Sequence, residues 1–443
     1  MSVKHKMIRG TLILTSAGLL SRFMGFFFRI FLSHAFGEES VGLYQLVFPV
    51  YSLCFSLGTA GIQTALSRTV ARKVSMGRPE DARNVLYAGL AVTVSFSLAE
   101  VIFIQQNAGM IAQRFLGDIR CTELLLIISY ALPCASVHSC ICGYSYGLQQ
   151  TKTPAVSQLV EQTARISSVL IFFFLLRESG RTPSVSLAVA GIVIGEFASA
   201  LYSARMFSGT GGNRGYFSAD LFGKSFRELI PLSLPLTANR AVVTLLQSIE
   251  AVSIPACLRA YGHGTGDTLI IYGVLTGMAL PCILFPSAVT NSVGVMLMPA
   301  VAEKQASGNR TGMMHLIRRA AGGCFLLGMA CCLFFLIFGT FIGNILFHSD
   351  TAGKFIVTLA WICPFLYTNS ALISTINGLG KTLFTFLINT SGLAIRIASV
   401  FLVIPHFGIQ GYLWGLLLSQ FIVSGMAVWI LWIISGRIPA TDT

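Results

Sequence analysis

Apolar windows of 20 or more residues recur along the whole chain, separated by short polar turns. Each is long enough to cross a hydrocarbon core of about 30 Å as a helix. None shows the short alternating segments of a membrane barrel. The pattern predicts twelve spans: 10–36, 41–66, 85–106, 123–147, 154–176, 184–205, 229–257, 268–299, 320–346, 355–378, 383–404 and 409–434. One connection stands out, the polar segment 206–226, where Gly209, Gly211, Gly212 and Gly215 cluster. Its end, from Leu221 to Arg227, reads as a short amphipathic helix on the inner surface. The first span is expected to stay uncleaved, since Arg22 interrupts its apolar run and Ser33-His34-Ala35 lies too far along for an ordinary signal cleavage site.

Composition agrees with a bilayer protein. Of 443 residues, 54% are hydrophobic and 11% charged, less than half the roughly 25% charge of a soluble domain. The net charge of +13 could suggest nucleic acid, but its distribution is topological. With the N-terminus in the cytoplasm, 19 Lys and Arg fall inside, six outside and five within spans. That bias fixes an even number of crossings and places both termini in the cytoplasm of a multi-pass cell-membrane protein. The eleven cysteines fall almost entirely inside spans, and Cys140-Ile141-Cys142 has no second pair or histidine cluster, so they read as packing residues and no metal site is expected. There is no phosphate-binding G-x-x-x-x-G-K-[ST] loop, no nucleophile and no paired-carboxylate site in any loop. The chain is therefore expected to be a non-enzyme without ATP or another cofactor, with transport secondary or potential-driven and Na+ or H+ coupling open.

The two halves resemble each other. Pro133, Gly147-Leu148, Thr151 and Arg165 recur 231 positions later as Pro364, Gly378-Leu379, Thr382 and Arg396. Val70-Ala71, Lys73 and Gly77 recur at the same offset as Val301-Ala302, Lys304 and Gly308. Arg9 and Arg22 match Arg227 and Arg240 at 218, and Gly191 and Phe197 match Gly415 and Phe421 at 224. Matches in one order, with offsets that differ only through loop lengths, mark an internal repeat. Six spans per repeat start both repeats on the same side, so they are parallel. The expected fold is an all-α polytopic membrane protein: two pseudo-symmetric six-helix lobes, 1–205 and 229–443, joined by a cytoplasmic linker 206–228, around a central cavity.

Nine ionisable residues fall within spans: Arg22, Arg29, Glu100, Glu161, Arg165, Glu196, Arg240, Glu250 and Arg396. A central Arg costs about 2.5–3.5 kcal/mol, so five facing lipid would cost on the order of 12–17 kcal/mol. They are expected to face protein or water. Arg22 and Arg29, two turns apart, share a helix face with Gly18 and Gly25. The fifth span carries a polar stripe of Gln158, Glu161, Gln162, Arg165 and Ser168 opposite an apolar face. Glu161 and Arg165, one turn apart, read equally as a structural ion pair or as binding groups. Arg29 reads equally as a snorkelling residue, and Glu100 and Glu196 read as structural. Arg22, Arg240 and Arg396 lack an acidic residue one turn away, and guanidinium groups grip phosphate at two oxygens. The candidate substrate-binding set is Arg22, Arg29, Gln158, Glu161, Arg165, Asn239, Arg240 and Arg396. Glu250 and Asn389 are the candidates for cation coupling.

These residues resemble the stage V sporulation protein B family, polysaccharide-type flippases of the superfamily that also holds the lipid II flippases and the multidrug and toxin extrusion transporters. The resemblance rests on Gly10 to Leu14, Ala17-Gly18, Arg22, Gly25-Phe26, Arg29, Gly37 to Glu39, Val41 to Tyr44, Pro49, Ser67 and Val70-Ala71. It continues in Gly143-Tyr144, Gly147, Gln149, Pro154, Ser157-Gln158, Glu161-Gln162 and Arg165 to Ser167. It implies a two-lobed cavity that flips a polyprenyl-pyrophosphate-linked saccharide to the outer leaflet. Arg22, after Ser21, stands where lipid II flippases keep a cavity arginine. The sequence departs from those flippases in length, as they usually add two further C-terminal spans that form a lipid groove. Extrusion transporters often carry a coupling acid in the first span, and there is none here between Gly10 and Phe36.

The leading expectation is a flippase for an anionic lipid-linked saccharide, acting as a monomer among membrane lipids, with no nucleic-acid partner. A cation-coupled exporter of small organic molecules is the alternative, though cationic drugs call for an acidic cavity and these charges lean basic. A non-transporting scaffold for wall or spore assembly is the third reading.

Overall fold

The computed structural model describes residues 3–209 and 219–437, and every regular element among them is helical. The helices are α1 (Val3–Phe55), α2 (Gly61–Ser75), α3 (Pro79–Met110), α4 (Cys121–Ser129), α5 (Ala131–Gly147), α6 (Lys152–Glu178), α7 (Ser186–Gly209) and α8 (Ala219–Tyr261). They continue as α9 (Thr265–Gly273), α10 (Leu280–Leu284), α11 (Ser287–Ala306), α12 (Arg310–Leu346), α13 (Asp350–Ala360), α14 (Cys363–Gly378), α15 (Thr382–Leu402), α16 (Ile404–Phe407) and α17 (Ile409–Arg437).

Among the described residues, ten helical stretches are long and apolar enough to cross a membrane, or eleven when α13 and α14, bent by 55°, count as one span. The stretch Leu12–Ser75 holds two of the expected spans. They meet at Gly37, whose φ of 78° breaks α1 in a conformation glycine adopts without penalty. The twelve-span reading is consistent with this layout. Leu221 to Arg227 is not a separate surface helix but part of the first turns of α8, which has no break before Tyr261. Gly211, Gly212 and Gly215 lie outside the described residues.

Backbone geometry repeats at the sequence offsets. Left-handed φ values occur at Gly77 and Gly308, at Gly117 and His348, and at Gln149 and Gly380, each pair 231 positions apart. The π-helical turn Ser56–Ala60 recurs 218 positions later within Val274–Ala279. α2 and α11 end at Ser75 and Ala306, again 231 apart, and the breaks before α5 and α14 fall at Tyr130 and Trp361. The offset grows from 218 to 231 because the second copy is longer here: α2 is matched by α10, the bend at Phe285-Pro286 and α11 together.

Contacts group the helices into two compact units, Met1–Phe28 with Leu43–Val252, and Arg29–Gly42 with Ser253–Thr443. They part inside α8, after Val252, rather than at 206–228. The cause is close packing of the middle of α8. A side chain at Gly61 would collide with Thr237, Ser56 and Thr244 share a hydrogen bond of 2.8 Å, and Ser248 Oγ donates to the carbonyl of Pro49 at 3.0 Å. The first unit's core joins α2, α3, α5 and α8 through Ile62, Leu66, Val85, Leu86, Cys140 and Leu229. The second unit's core joins α11, α12, α14, α15 and α17 through Leu297, Ile317, Ile376, Ile388 and Val423.

Candidate functional site

In the first unit α6 and α7 lie close, because Gly191 and Gly195 on α7 meet the backbone carbonyls of Arg165 and Glu161. Small residues permit such an approach, and it brings the polar stripe of α6 against Glu196. Arg165 Nη2 donates to Glu161 Oε1 at 2.5 Å, so the expected one-turn pair forms. Tyr51 from α1 donates to Glu196 Oε1 at 3.2 Å. His138 from α5 places Nδ1 3.6 Å from Glu196 Oε2 and hydrogen-bonds Ser157 through Nε2 at 3.0 Å. Ligand atoms of His138, Glu161 and Glu196 lie within 4.8 Å of one another, and Glu196 is only 8% exposed. The spacing would suit a chelated metal. However, the Arg165 guanidinium is already on Glu161, and its charge opposes a dication.

The other expected residues are distributed as follows. Arg22 on α1 and Arg240 on α8, the repeat-related pair, belong to the first unit and are exposed, as is Asn239. Among the described residues neither Arg22 nor Arg240 has an ion pair or hydrogen bond. Gln158 is half-buried one turn before Glu161, and Glu250 is buried in α8 at 5% exposure. The second unit holds Arg29, Asn389 and Arg396. Arg29 Nη1 donates at 3.2 Å to the carbonyl of Thr276, inside the π turn, where the regular helical ladder is interrupted. That contact ties α1 to the π turn and accounts for part of its charge. Asn389 is exposed and Arg396 is half-buried on α15.

Two residues of the cluster, Tyr51 and His138, carried no signal in the apolar runs that hold them. The repeat offsets would have found His138. At 231 it corresponds to Asn369, and at 224 Glu196 corresponds to Gln420. Asn369 Nδ2 donates to Gln420 Oε1 at 2.9 Å, the second unit's counterpart of the His138–Glu196 contact.

Known proteins agree with this architecture. The fold matches an inward-facing multidrug resistance MATE family transporter of the MOP superfamily with a TM-score of 0.73, at 15% identity and 96% coverage of both chains. The lipid II flippase MurJ, in an inward closed conformation, matches at 0.73 and 16% identity, over 96% of this chain and 89% of that one. These define the fold, one shared with a MATE family transporter and a lipid II flippase. Residues 7–305 match the family model described as polysaccharide biosynthesis protein, and the chain belongs to that family. It is 28% identical to stage V sporulation protein B of Bacillus subtilis (strain 168) over 414 residues, 92% of this chain and 80% of that protein. To lipid II flippase MurJ of the same organism it is 25% identical over 325 residues, 69% of this chain and 60% of that one.

Proposed function

We propose that this transporter moves a polyprenyl-pyrophosphate-linked saccharide, a precursor of wall or surface polysaccharide, from the inner to the outer leaflet by alternating access. The observation that carries the reading is the pair Arg22 and Arg240, two exposed arginines with no ion pair among the described residues, in apolar spans at the same place in each repeat. Facing lipid, each would cost about 2.5–3.5 kcal/mol, so both are assigned to a wet surface. There a planar fork of donors offers a pyrophosphate two oxygens at once. The relatives named for lipid II and for sporulation support a lipid-linked saccharide over a cationic drug, and so does the basic character of these exposed groups. Both termini are assigned to the cytoplasm by the distribution of Lys and Arg.

Labelling with a membrane-impermeant, charged maleimide tests access and orientation together. The native cysteines are buried or half-buried, so the background is low. With the outside face exposed, Ser75→Cys, at the exposed end of α2, is expected to stay unlabelled until the membrane is opened. Labelling of Ser75→Cys from outside would reverse the orientation. Arg22→Cys is expected to react in opened membranes. Its complete protection there would favour the scaffold reading, which needs no wet arginine.

A further inference from the structure

The second unit contains an uncharged version of the His138–Glu196 contact. Ser424 donates to Asn369 Oδ1 at 2.6 Å, and Asn369 donates to Gln420 at 2.9 Å, so an amide pair fills the place of an imidazole and a carboxylate. The offset of 231 also sets Gly392 where the first unit has Glu161. The amide version has no titratable group, and the first unit's version has two.

Hydrogen bonding around His138 shows where that proton would sit. Ser157 Oγ donates to the carbonyl of Pro154 at 2.9 Å, so it accepts from His138 Nε2–H. The neutral imidazole then presents the lone pair of Nδ1. It faces Glu196 Oε2, a buried oxygen with no hydrogen bond, because Tyr51 donates to Oε1 instead. Two acceptors thus face each other 3.6 Å apart, and a single proton on either converts them into donor and acceptor. The charge balance points the same way. With Glu161, Glu196 and Arg165 ionised, the buried cluster carries one excess negative charge, and one proton brings it to zero. Buried net charge is costly and wetting removes that cost. The other titratable or charged groups facing the cluster are Tyr44 and Tyr51 on α1, Cys134 and Cys142 on α5, and Glu161 and Arg165 on α6.

We propose that His138 Nδ1 and Glu196 Oε2 form an exchangeable proton site in the first unit. Water supplies the proton when the site is wetted on one side of the membrane and takes it back when it is wetted on the other. The proposal deepens the transport reading and rests on it for coupling, whereas the binding of the proton itself does not.

The test uses the double variant His138→Asn, Glu196→Gln, which installs the amide pair that the second unit already accommodates, with Glu196→Gln alone as a second variant. Full-length protein in lipid nanodiscs is stepped from about pH 8 to about pH 5, across the ordinary His and Glu ranges, while a dye counts protons. The wild type is expected to take up about one proton more than the double variant, with thermal stability retained in both. In proteoliposomes, an imposed pH gradient is expected to change the flipping rate of the wild type several-fold and that of either variant not at all. Equal proton counts would overturn the site. A gradient response that survives in both variants would overturn its coupling role. Zn2+ binding by the wild type that disappears in the variants, with no difference in proton count, would overturn the proton in favour of a metal ion. If neither protein flips lipid yet the proton counts differ, the proton site stands and only the substrate reading fails.

Discussion

Replacing Arg22 or Arg240 with Ala is expected to abolish flipping of a pyrophosphate-linked lipid while the protein still inserts and folds. Neither side chain has an ion pair or hydrogen bond among the described residues, so truncation breaks no such structural contact. Each removes a bidentate charged grip on phosphate, and hydrogen bonds to charged groups are worth roughly 1.5–3 kcal/mol each, or about tenfold to more than a hundredfold in affinity. Lys at either position is expected to rescue in part, since it keeps the charge and loses the planar fork. Flipping rates from reconstituted variants, normalised to folded protein, provide the check. Wild-type rates in both Ala variants would remove the pyrophosphate grip from these residues.

The second large effect concerns the driving force. A pyrophosphate head moving outward carries negative charge away from a cytoplasm that is itself negative. Each elementary charge crossing the full field gains about 2.3 kcal/mol per 100 mV. Valinomycin with matched potassium, which collapses the potential, is therefore expected to slow flipping strongly. Glu250→Gln, at a carboxylate buried in α8, is expected to slow it by a smaller factor. Flipping that survives loss of the potential but stops in Glu250→Gln would replace potential-driven export with obligatory ion coupling at that carboxylate. The proton site at His138 and Glu196 adds to this drive and is separable from it, because a pH gradient can be set with the potential held at zero.

The spans were legible because burial in lipid leaves a long, uniform apolar signal that no local propensity overrides. The repeat was legible too, and in the structure its offset of 231 also relates the left-handed residues Gly117 and His348. What composition could not show was the parting of the units inside α8. That follows from close contacts at Gly61 and Pro49, which depend on which helices meet. The candidate site was legible only where charge is conspicuous. Glu161 and Arg165 announced themselves as a one-turn pair on a polar stripe. Arg29 drew attention as a charge in a span, yet the structure gives it the Thr276 carbonyl to hold. His138 and Tyr51 sit in apolar runs and gain meaning only when folding sets them against Glu196, which by itself read as structural.

The central claim concerns what is carried, and it is tested by the initial rate at which a fluorescent polyprenyl-pyrophosphate-linked saccharide crosses sealed proteoliposomes with an imposed potential. The same polyprenyl saccharide without its pyrophosphate, and a cationic dye, serve as competing cargoes. The account predicts that the wild type accelerates the pyrophosphate-linked lipid well above empty vesicles and leaves the other two near the background rate. Acceleration of the cationic dye, with none for the lipid-linked saccharide, would contradict it and make the chain a drug exporter.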